Sequence, residues 1–180
     1  MLKYEFEIII YMGMIAEYLM IDDETLNSFM DLNNEDLTNK LFEIEESQKF
    51  KRIDIDKIWD VLHFFLTGVS ASKPIEYDKL SEGVLGVDNF NLDEENADFV
   101  AFTINEALVE IIEAIEKVDF EKLAANFDLG ILKKNKIYPN GIWEEKKVDL
   151  LEEIKDALNE ILNFYKEALF TKHHIVVSIL

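Results

Sequence analysis

The sequence predicts a helix-dominated α+β domain built on a small sheet. Two observations indicate the sheet: residues 14–21 (MIAEYLMI) are largely apolar and strand-like, and residues 174–180 form a nearly continuous β-branched run. Between them, apolar residues recur at spacings of three and four, as amphipathic helices require. The chain has 180 residues, of which 49% are hydrophobic, so it is long enough to bury one core. We therefore expect a single mixed domain whose sheet includes N-terminal and C-terminal strands.

The first half alternates a strand with helices. The strand at 14–21 ends at an acidic pair, and a helix over about 23–32 follows it. Asn33 and Asn34 interrupt this helix before a second helical stretch that runs through Glu46. These signals predict one strand and two helices before residue 50.

The clearest helix start in this half is Asp54, which precedes an apolar-rich stretch over 55–66. Gly68 lies just past the end of that stretch, where a glycine commonly terminates a helix. Residues 69–98 contain a proline, two glycines and many short polar side chains. We therefore expect an irregular connection with at most a short helix over 79–83.

A strand is expected over 99–102, followed directly by a helix. Thr103 and Glu106 have the spacing of a capping box, in which each side chain bonds the backbone of the other. The helix has an apolar face formed by Ile104, Leu108, Ile111, Ile115 and Val118, and a second face of Glu106, Glu110, Glu113 and Glu116. The pattern is typical of an amphipathic helix with one buried side.

The C-terminal third predicts the longest helix, over about 144–170. Before it, Asp119 can cap a short helix to about residue 126, and residues 138–141 (Tyr-Pro-Asn-Gly) indicate a turn. The apolar seam of the long helix consists of Leu151, Ile154, Leu158, Ile161, Tyr165 and Ala168. We expect this seam to pack against the domain; a coiled-coil dimer is the alternative, with fewer than four full heptads to support it.

The chain is strongly acidic, with 38 Asp and Glu against 18 Lys and Arg and a net charge of -20. Residues 76–128 hold 15 of these acids and only three lysines, whereas residues 129–180 are neutral overall. Such a charge repels phosphate, so we expect no nucleic-acid partner. A basic protein partner is the complementary expectation, and a solvated acidic surface that only favours solubility is the alternative.

Composition also bears on the compartment. The chain has no cysteine, which excludes disulfides, a thiolate nucleophile and zinc sites with cysteine ligands. The apolar stretch over 8–16 is about half of the roughly 20 residues that a membrane-spanning helix needs. Lys3 is followed at once by Glu5 and Glu7, unlike the basic start of a signal peptide. We expect a cytoplasmic protein that does not contact the membrane.

One set of polar residues is a candidate site. On a helix that begins after Asp54, Asp56, Asp60, His63 and Thr67 fall along a single stripe, with Trp59 on the adjacent stripe. A carboxylate one turn from an imidazole raises its basicity, as a general base requires. The alternative is structural: the carboxylates favour the helix dipole, and His63 is a half-buried side chain with satisfied hydrogen bonds.

Other motifs for chemistry are weak. His173 and His174 are adjacent, so in a strand they point to opposite faces and make a poor pair of metal ligands. Gly83 and Gly86 lack the lysine and hydroxyl residues of a phosphate-binding loop. There is no Gly-x-Ser-x-Gly segment and no calcium-loop pattern. We therefore expect no cofactor and no metal.

Several segments of the sequence resemble the YfbM-like bacterial family, a domain of unknown function. They are Met12-Gly13-Met14-Ile15, Ile55-Asp56-Lys57-x-Trp59-Asp60-x-Leu62-His63-Phe64, Leu66-Thr67-Gly68, Leu80-Ser81-x-x-Val84-Leu85-Gly86 and Ile137-Tyr138-Pro139. The resemblance implies a small cytosolic bacterial α+β protein and assigns no reaction. It covers residues 12–180, so residues 1–11 are either an N-terminal extension or lie before the true start at Met12.

Two functions are consistent with these observations. The preferred one is a non-enzymatic binding or regulatory module whose acidic residues 76–128 meet a basic protein, for example to neutralise a cationic toxin or nuclease. The alternative is an enzyme or small-ligand binder with a pocket lined by Asp56, Asp60, His63 and Trp59.

Overall fold

A computed structural model describes residues 13–90 and 98–180, and within them five antiparallel strands form one sheet. The predicted boundary at Met12, the extension over 1–11 and the three acids at 93–95 lie outside the described residues. The strand order is β2-β1-β5-β4-β3. The strands are β1 (Ala16–Ile21), β2 (Arg52–Asp54), β3 (Asp88–Asn89), β4 (Phe99–Thr103) and β5 (His174–Ile179).

The C-terminal strand lies at the centre of the sheet. All six residues of β5 are buried, and the strand pairs with β1 on one side and β4 on the other. Tyr18 lies directly opposite Val177 in the first pairing, and Ala101 lies opposite Val177 in the second. The β-branched run therefore forms an interior strand that is covered on both faces, as its composition predicts.

Helices cover both faces of the sheet. In the described part of the chain they are α1 (Asp23–Phe29), α2 (Asn34–Ser47), α3 (Trp59–Thr67), α4 (Lys79–Leu85), α5 (Leu108–Glu116), α6 (Phe120–Asn126), α7 (Leu129–Asn135) and α8 (Lys147–Thr171). Two short 3₁₀ turns span Asn105–Ala107 and Ile142–Glu144. The prediction of a helix-dominated α+β fold with both terminal strands in the sheet is confirmed.

The alternation of side chains along the strands divides the core in two. Leu19, Ile21 and Val176 face α1 and α2, which close the smaller cluster. Tyr18 and Val177 face the larger cluster, to which α3, α4, α5 and α8 contribute. The sheet is thus the middle of three layers, with residues of period two directed alternately to each side.

Two buried tyrosines connect α4 to the core. The hydroxyl of Tyr18 donates to the Val84 carbonyl at 2.8 Å, and that of Tyr165 donates to the Gly83 carbonyl at 3.1 Å. Burial raises the pKa of both phenols, so each remains a neutral donor. These two bonds hold the helix that carries Ser81 against β1 and α8.

The long helix packs as the sequence predicts. Its residues Ile154, Ile161, Tyr165 and Ala168 are fully buried, and the helix lies against α5 and α3. The seam is therefore used within the domain. Across the described residues, no helix combines the length and the apolar character that are needed to cross a membrane.

Two local predictions are wrong. The helix expected after Asp54 begins instead at Trp59, because residues 52–54 form β2 and pair with β1. Thr103 is not a helix cap: it is the last residue of β4, is fully buried, and its hydroxyl has no hydrogen-bond partner. The predicted cap at Asp119 is confirmed, since its carboxylate accepts from the Lys122 amide at 3.0 Å.

Candidate functional site

The predicted stripe of polar residues is divided at the start of α3. The backbone of residues 55 and 56 bonds with Ala16 on β1: the Ile55 amide donates to the Ala16 carbonyl at 3.1 Å, and the Ala16 amide donates to the Asp56 carbonyl at 3.1 Å. Asp56 has φ of 49°, outside the helical region, and its side chain is exposed. The expected single helical stripe from Asp56 to Thr67 is therefore wrong, because residues 55 and 56 continue the pairing with β1 beyond β2 in place of a first helical turn.

Asp60 lies in the first turn of α3 and is 4% exposed. One carboxylate oxygen accepts from the Ala71 amide at 2.7 Å and from the Ser70 hydroxyl at 3.0 Å, and the other accepts from the Tyr138 amide at 2.8 Å. Charge-assisted bonds from three donors compensate the loss of hydration. Asp60 therefore joins α3 to the loop that follows it and to residue 138, far along the chain.

His63 is fully buried one turn further along α3. Its Nδ1 lies 2.8 Å from the Val69 carbonyl and its Nε2 lies 2.7 Å from the Ser81 hydroxyl. A carbonyl only accepts, so Nδ1 carries the proton and Nε2 accepts from Ser81. The Ser81 oxygen in turn accepts from the Ile75 amide at 3.1 Å. Both ring nitrogens and the Ser81 hydroxyl therefore have hydrogen-bond partners within the fold.

The electrostatics of His63 favour the neutral ring. Burial lowers its pKa, while the bond to the Val69 carbonyl and the charges of Asp60 and Asp78 oppose this shift without cancelling it. Asp60 makes no hydrogen bond to His63, since its three bonds are directed elsewhere. The expected carboxylate–imidazole pair is thus not formed as a hydrogen bond, and the lowered pKa favours the neutral ring.

Trp59 and Thr67 complete the surroundings of α3. The Trp59 indole stacks on Tyr138 with ring centres 5.2 Å apart, and its nitrogen donates to the Met14 carbonyl at 3.1 Å. The Thr67 hydroxyl donates to the His63 carbonyl at 2.7 Å and accepts from the Val69 amide at 3.2 Å. Both side chains therefore hold neighbouring backbone segments in place.

The segments that carry the family resemblance meet at this point. Met14 contacts Trp59, Ser81 contacts His63, and Tyr138 contacts both Trp59 and Asp60. Sequence reasoning missed the roles of Ser81 and of the Tyr138 amide. No local signal could have found them, because these partners lie 18 and 78 residues from the side chains that they bond.

Of the five candidate residues, Trp59 lines an open hollow. Trp59 borders a hollow of about 300 Å³ with Met14, Ala71, Ser72, Leu85, Asp98, Phe99 and Ile179. Asp60, His63 and Thr67 do not border it, and Asp56 lies on the exposed turn before α3. Among the described residues, no group of three His, Cys, Asp or Glu side chains is arranged to hold a metal ion.

The class of protein is an α+β domain with helices on both faces of an antiparallel sheet. Its distinguishing feature is the buried, hydrogen-bonded cluster around Asp60 and His63 on α3. The chain matches the family described as a domain of unknown function (DUF1877) over residues 12–178. It is 31% identical to Protein YfbM of Escherichia coli strain K12 over 169 aligned residues. The alignment covers 93% of this chain and 99% of that protein.

The crystal structure of YfbM from Escherichia coli, a protein of unknown function, has the same fold. It aligns with a TM-score of 0.74 at 30% identity, over 93% of this chain and all of that one. The chain therefore belongs to the DUF1877 family, as the resemblance of its motifs predicts.

Proposed function

We propose that this protein is a non-enzymatic binding or regulatory module that recognises a basic protein through its acidic surface over residues 76–128. The observation that carries the proposal is a contrast in how polar groups are used. Asp60 and His63 bond to neighbouring parts of the same fold, whereas most carboxylates of this region that the structure describes, in 76–90 and 98–128, lie at the surface. Surface carboxylates are available to an external partner.

The outer side of α5 and the turn before it supports the proposal. Glu106, Glu110 and Glu113 are exposed and follow one another at helical spacing on the side away from the core. Lys79 lies 3.1 Å from Glu110, and Lys117 lies 3.3 Å from Glu113. An exposed pair such as Lys117–Glu113 contributes about 0–1 kcal/mol, so a cationic partner can replace Lys117 at little cost. Lys79 also lies 2.8 Å from the buried Glu82, so it stays in place and leaves Glu106 and Glu113 as the readily available carboxylates.

Long-range electrostatic attraction would affect the rate at which such a partner associates. A surface with excess negative charge raises the rate at which a positively charged protein associates, and salt screens the effect over about 8–10 Å. A module that neutralises a cationic toxin or nuclease would use this steering. Its binding would weaken steeply as ionic strength rises.

The test compares variants with equal net charge. The triple variant Glu106→Gln/Glu110→Gln/Glu113→Gln and the control Glu152→Gln/Asp156→Asn/Glu160→Gln on α8 each remove three exposed negative charges. In a pull-down with the immobilised protein, we expect a basic protein to be retained at low salt, released by salt and lost only with the α5 variant. Equal loss in both variants would show nonspecific charge attraction and would contradict the proposal.

A second function rests on the hollow beside Trp59. Its volume of about 300 Å³ is within the range of small-molecule sites, and the indole forms part of its wall. On this alternative, a ligand would change the fluorescence of Trp59 in a Trp143→Phe variant. An enzyme that uses Asp56, Asp60, His63 and Trp59 would lose activity but keep its melting temperature in His63→Ala, whereas a structural role predicts a lower melting temperature.

A further inference from the structure

A groove lies between α2 and the ends of β1 and β5, and Asp60, His63 and Trp59 do not line it. Its volume is about 420 Å³, within the range of small-molecule sites. It is lined by Gly13, Ile15, Glu17, Phe42, Glu45, Lys57, Ser178 and Leu180, and a smaller cavity that shares five of these residues continues it along α2 toward Arg52.

The apolar part of the groove is open to solvent. Phe42 on α2 is 49% exposed and Ile15, just before β1, is 38% exposed, and Leu180 lines the groove with them. Large apolar side chains that remain exposed around a concavity are typical of a binding surface. The groove can therefore take an apolar body.

One end of the groove has an excess of negative charge. Glu17 and Glu45 line it, and Arg52 lies 3.1 Å from Glu17 and 2.5 Å from Glu45, so a single guanidinium serves both carboxylates. Asp54 lies directly opposite Glu17 in the β1–β2 pair, on the same face of the sheet. Burial, and then the charges of Glu45 and Asp54, raise the pKa of Glu17 despite the opposing effect of Arg52.

A serine hydroxyl lies in the wall at the same place. Ser178 is 7% exposed, lies opposite Glu17 in the β1–β5 pair and lines both cavities. In residues 13–90 and 98–180 its side-chain oxygen has no hydrogen-bond partner, and it is not sealed in the core as the Thr103 hydroxyl is but is reached from the groove. An unpaired hydroxyl beside two carboxylates is a set of acceptors that suits an ammonium donor.

We propose that this groove binds a small organic amine, with its ammonium group at Glu17, Glu45 and Ser178 and its apolar body along Ile15, Phe42 and Leu180. A lysine limits the number of positive charges that the groove can take. Lys57 lines the larger cavity but not the smaller one toward Arg52, and its ammonium makes no ion pair within the described residues. Lys57 repels a second cation, so the ligand is a monoamine and not a diamine.

The test uses hexylamine as the probe, followed by heteronuclear NMR of the labelled protein at probe concentrations on the order of millimolar, as suits a small ligand. Hexanoate, hexanol and 1,6-diaminohexane serve as matched probes. We expect saturable shifts at Ile15, Phe42 and Ser178 with hexylamine, weaker binding of hexanol and the diamine, and none of hexanoate.

The variants separate recognition from folding. Glu17→Gln and Glu45→Gln are each expected to weaken hexylamine binding about tenfold, the loss of one charge-assisted bond. Glu43→Gln on the same helix, whose carboxylate pairs with Lys40 and does not line the groove, should bind as the unchanged protein does. Melting temperatures of all three show whether the fold is kept.

Several results would overturn this assignment. They are equal binding of hexanoate and hexylamine, unchanged binding in Glu17→Gln and Glu45→Gln that remain folded, tighter binding of the diamine, or binding of a basic peptide without any binding of hexylamine. The acidic surface over 76–128 is not part of the groove, so the pull-down with the α5 variant tests the proposed function separately.

Discussion

At the scale of single residues, Asp60 and His63 show how polar side chains can be buried when their hydrogen-bonding atoms find partners. Asp60 has no cationic neighbour within ion-pair distance in the described residues, yet three donors converge on its carboxylate. His63 is held at both nitrogens. Their partners include backbone groups of residues 69, 71 and 138, which lie outside the helices, and the Ser81 side chain on α4, so the two residues connect α3 to the segments packed around it.

The Asp60 network makes a testable claim about stability. In Asp60→Asn, the amide keeps one acceptor oxygen and turns an NH₂ group toward a buried backbone donor. We expect the free energy of unfolding to fall by about 3 kcal/mol, as for other broken buried charged networks. The measurement is urea denaturation. The exposed Asp56→Asn is the control, with a change within about 0.5 kcal/mol; equal effects in the two variants would contradict the network.

The buried His63 makes a claim about pH. Its folded pKa is lowered, whereas the unfolded chain has a pKa of about 6.5. The unfolded state therefore binds the proton first, and the contribution of the neutral ring is present above pH 6.5 and is lost as the pH falls below it. Carboxylate effects common to both proteins cancel in a comparison with His63→Gln.

We expect the stability of the unchanged protein to fall more steeply than that of His63→Gln between about pH 6.5 and 5. The difference in slope reaches at most about 1.4 kcal/mol per pH unit for one proton. Urea denaturation at several pH values measures it. Parallel stability curves for the two proteins would mean that the folded ring takes up its proton as easily as the unfolded one.

At the scale of elements, strong local patterns were predictable and paired short strands were not. The pattern of α8 and that of β5 each lie within one segment of the sequence. The helix was therefore recognised by its apolar spacing of three and four, and the strand by its run of β-branched residues. β2 has three residues and exists only by its pairing with β1, and Asp54 at its end has the appearance of a helix cap. The true start of α3 follows Ile58, which makes no side-chain cap bond and so leaves no signal.

Substitutions of Thr103 test whether this residue belongs to β4 or caps the helix that follows. Because its buried hydroxyl is unpaired, Thr103→Val keeps the shape and removes an unsatisfied polar group, and we expect a gain of about 1 kcal/mol in unfolding free energy. Thr103→Ser keeps the hydroxyl and leaves a small cavity, so it should destabilise the protein. Thermal unfolding distinguishes the two. If Thr103→Val were less stable than the unchanged protein while Thr103→Ser kept its stability, the result would support the capping box instead.

At the scale of the whole molecule, the polar centre could be predicted only in part. The sequence identified Trp59, Asp60 and His63 as related residues of one helix, because their spacing is local. Their partners at Ser81 and Tyr138 come from distant segments, and only the packing of α4 and of residue 138 against α3 brings them together. A pattern along one chain segment cannot separate a catalytic stripe from a structural one, since both need the same residue types.

The family match begins at residue 12, and we predict from it that residues 1–11 do not contribute to the stability of the domain. A chain that begins at Met12 is expected to keep its melting temperature within about 1 °C. Removing residues 12–15 as well should lower it by several degrees, because the Met14 carbonyl bonds Trp59 and Ile15 pairs with Leu180. Differential scanning calorimetry compares the two. A large loss on removing residues 1–11 alone would place them within the stable domain.

The central claim is that the Asp60–His63 centre is a closed structural network, which leaves recognition to the surface. The most direct measurement is an NMR titration of the ¹⁵N-labelled histidines, with the His63 signals assigned by their loss in His63→Gln. We predict the tautomer protonated at Nδ1 and a pKa below the usual 6.5. A proton on Nε2, or a pKa at or above 6.5, would contradict the claim and favour a chemically active His63.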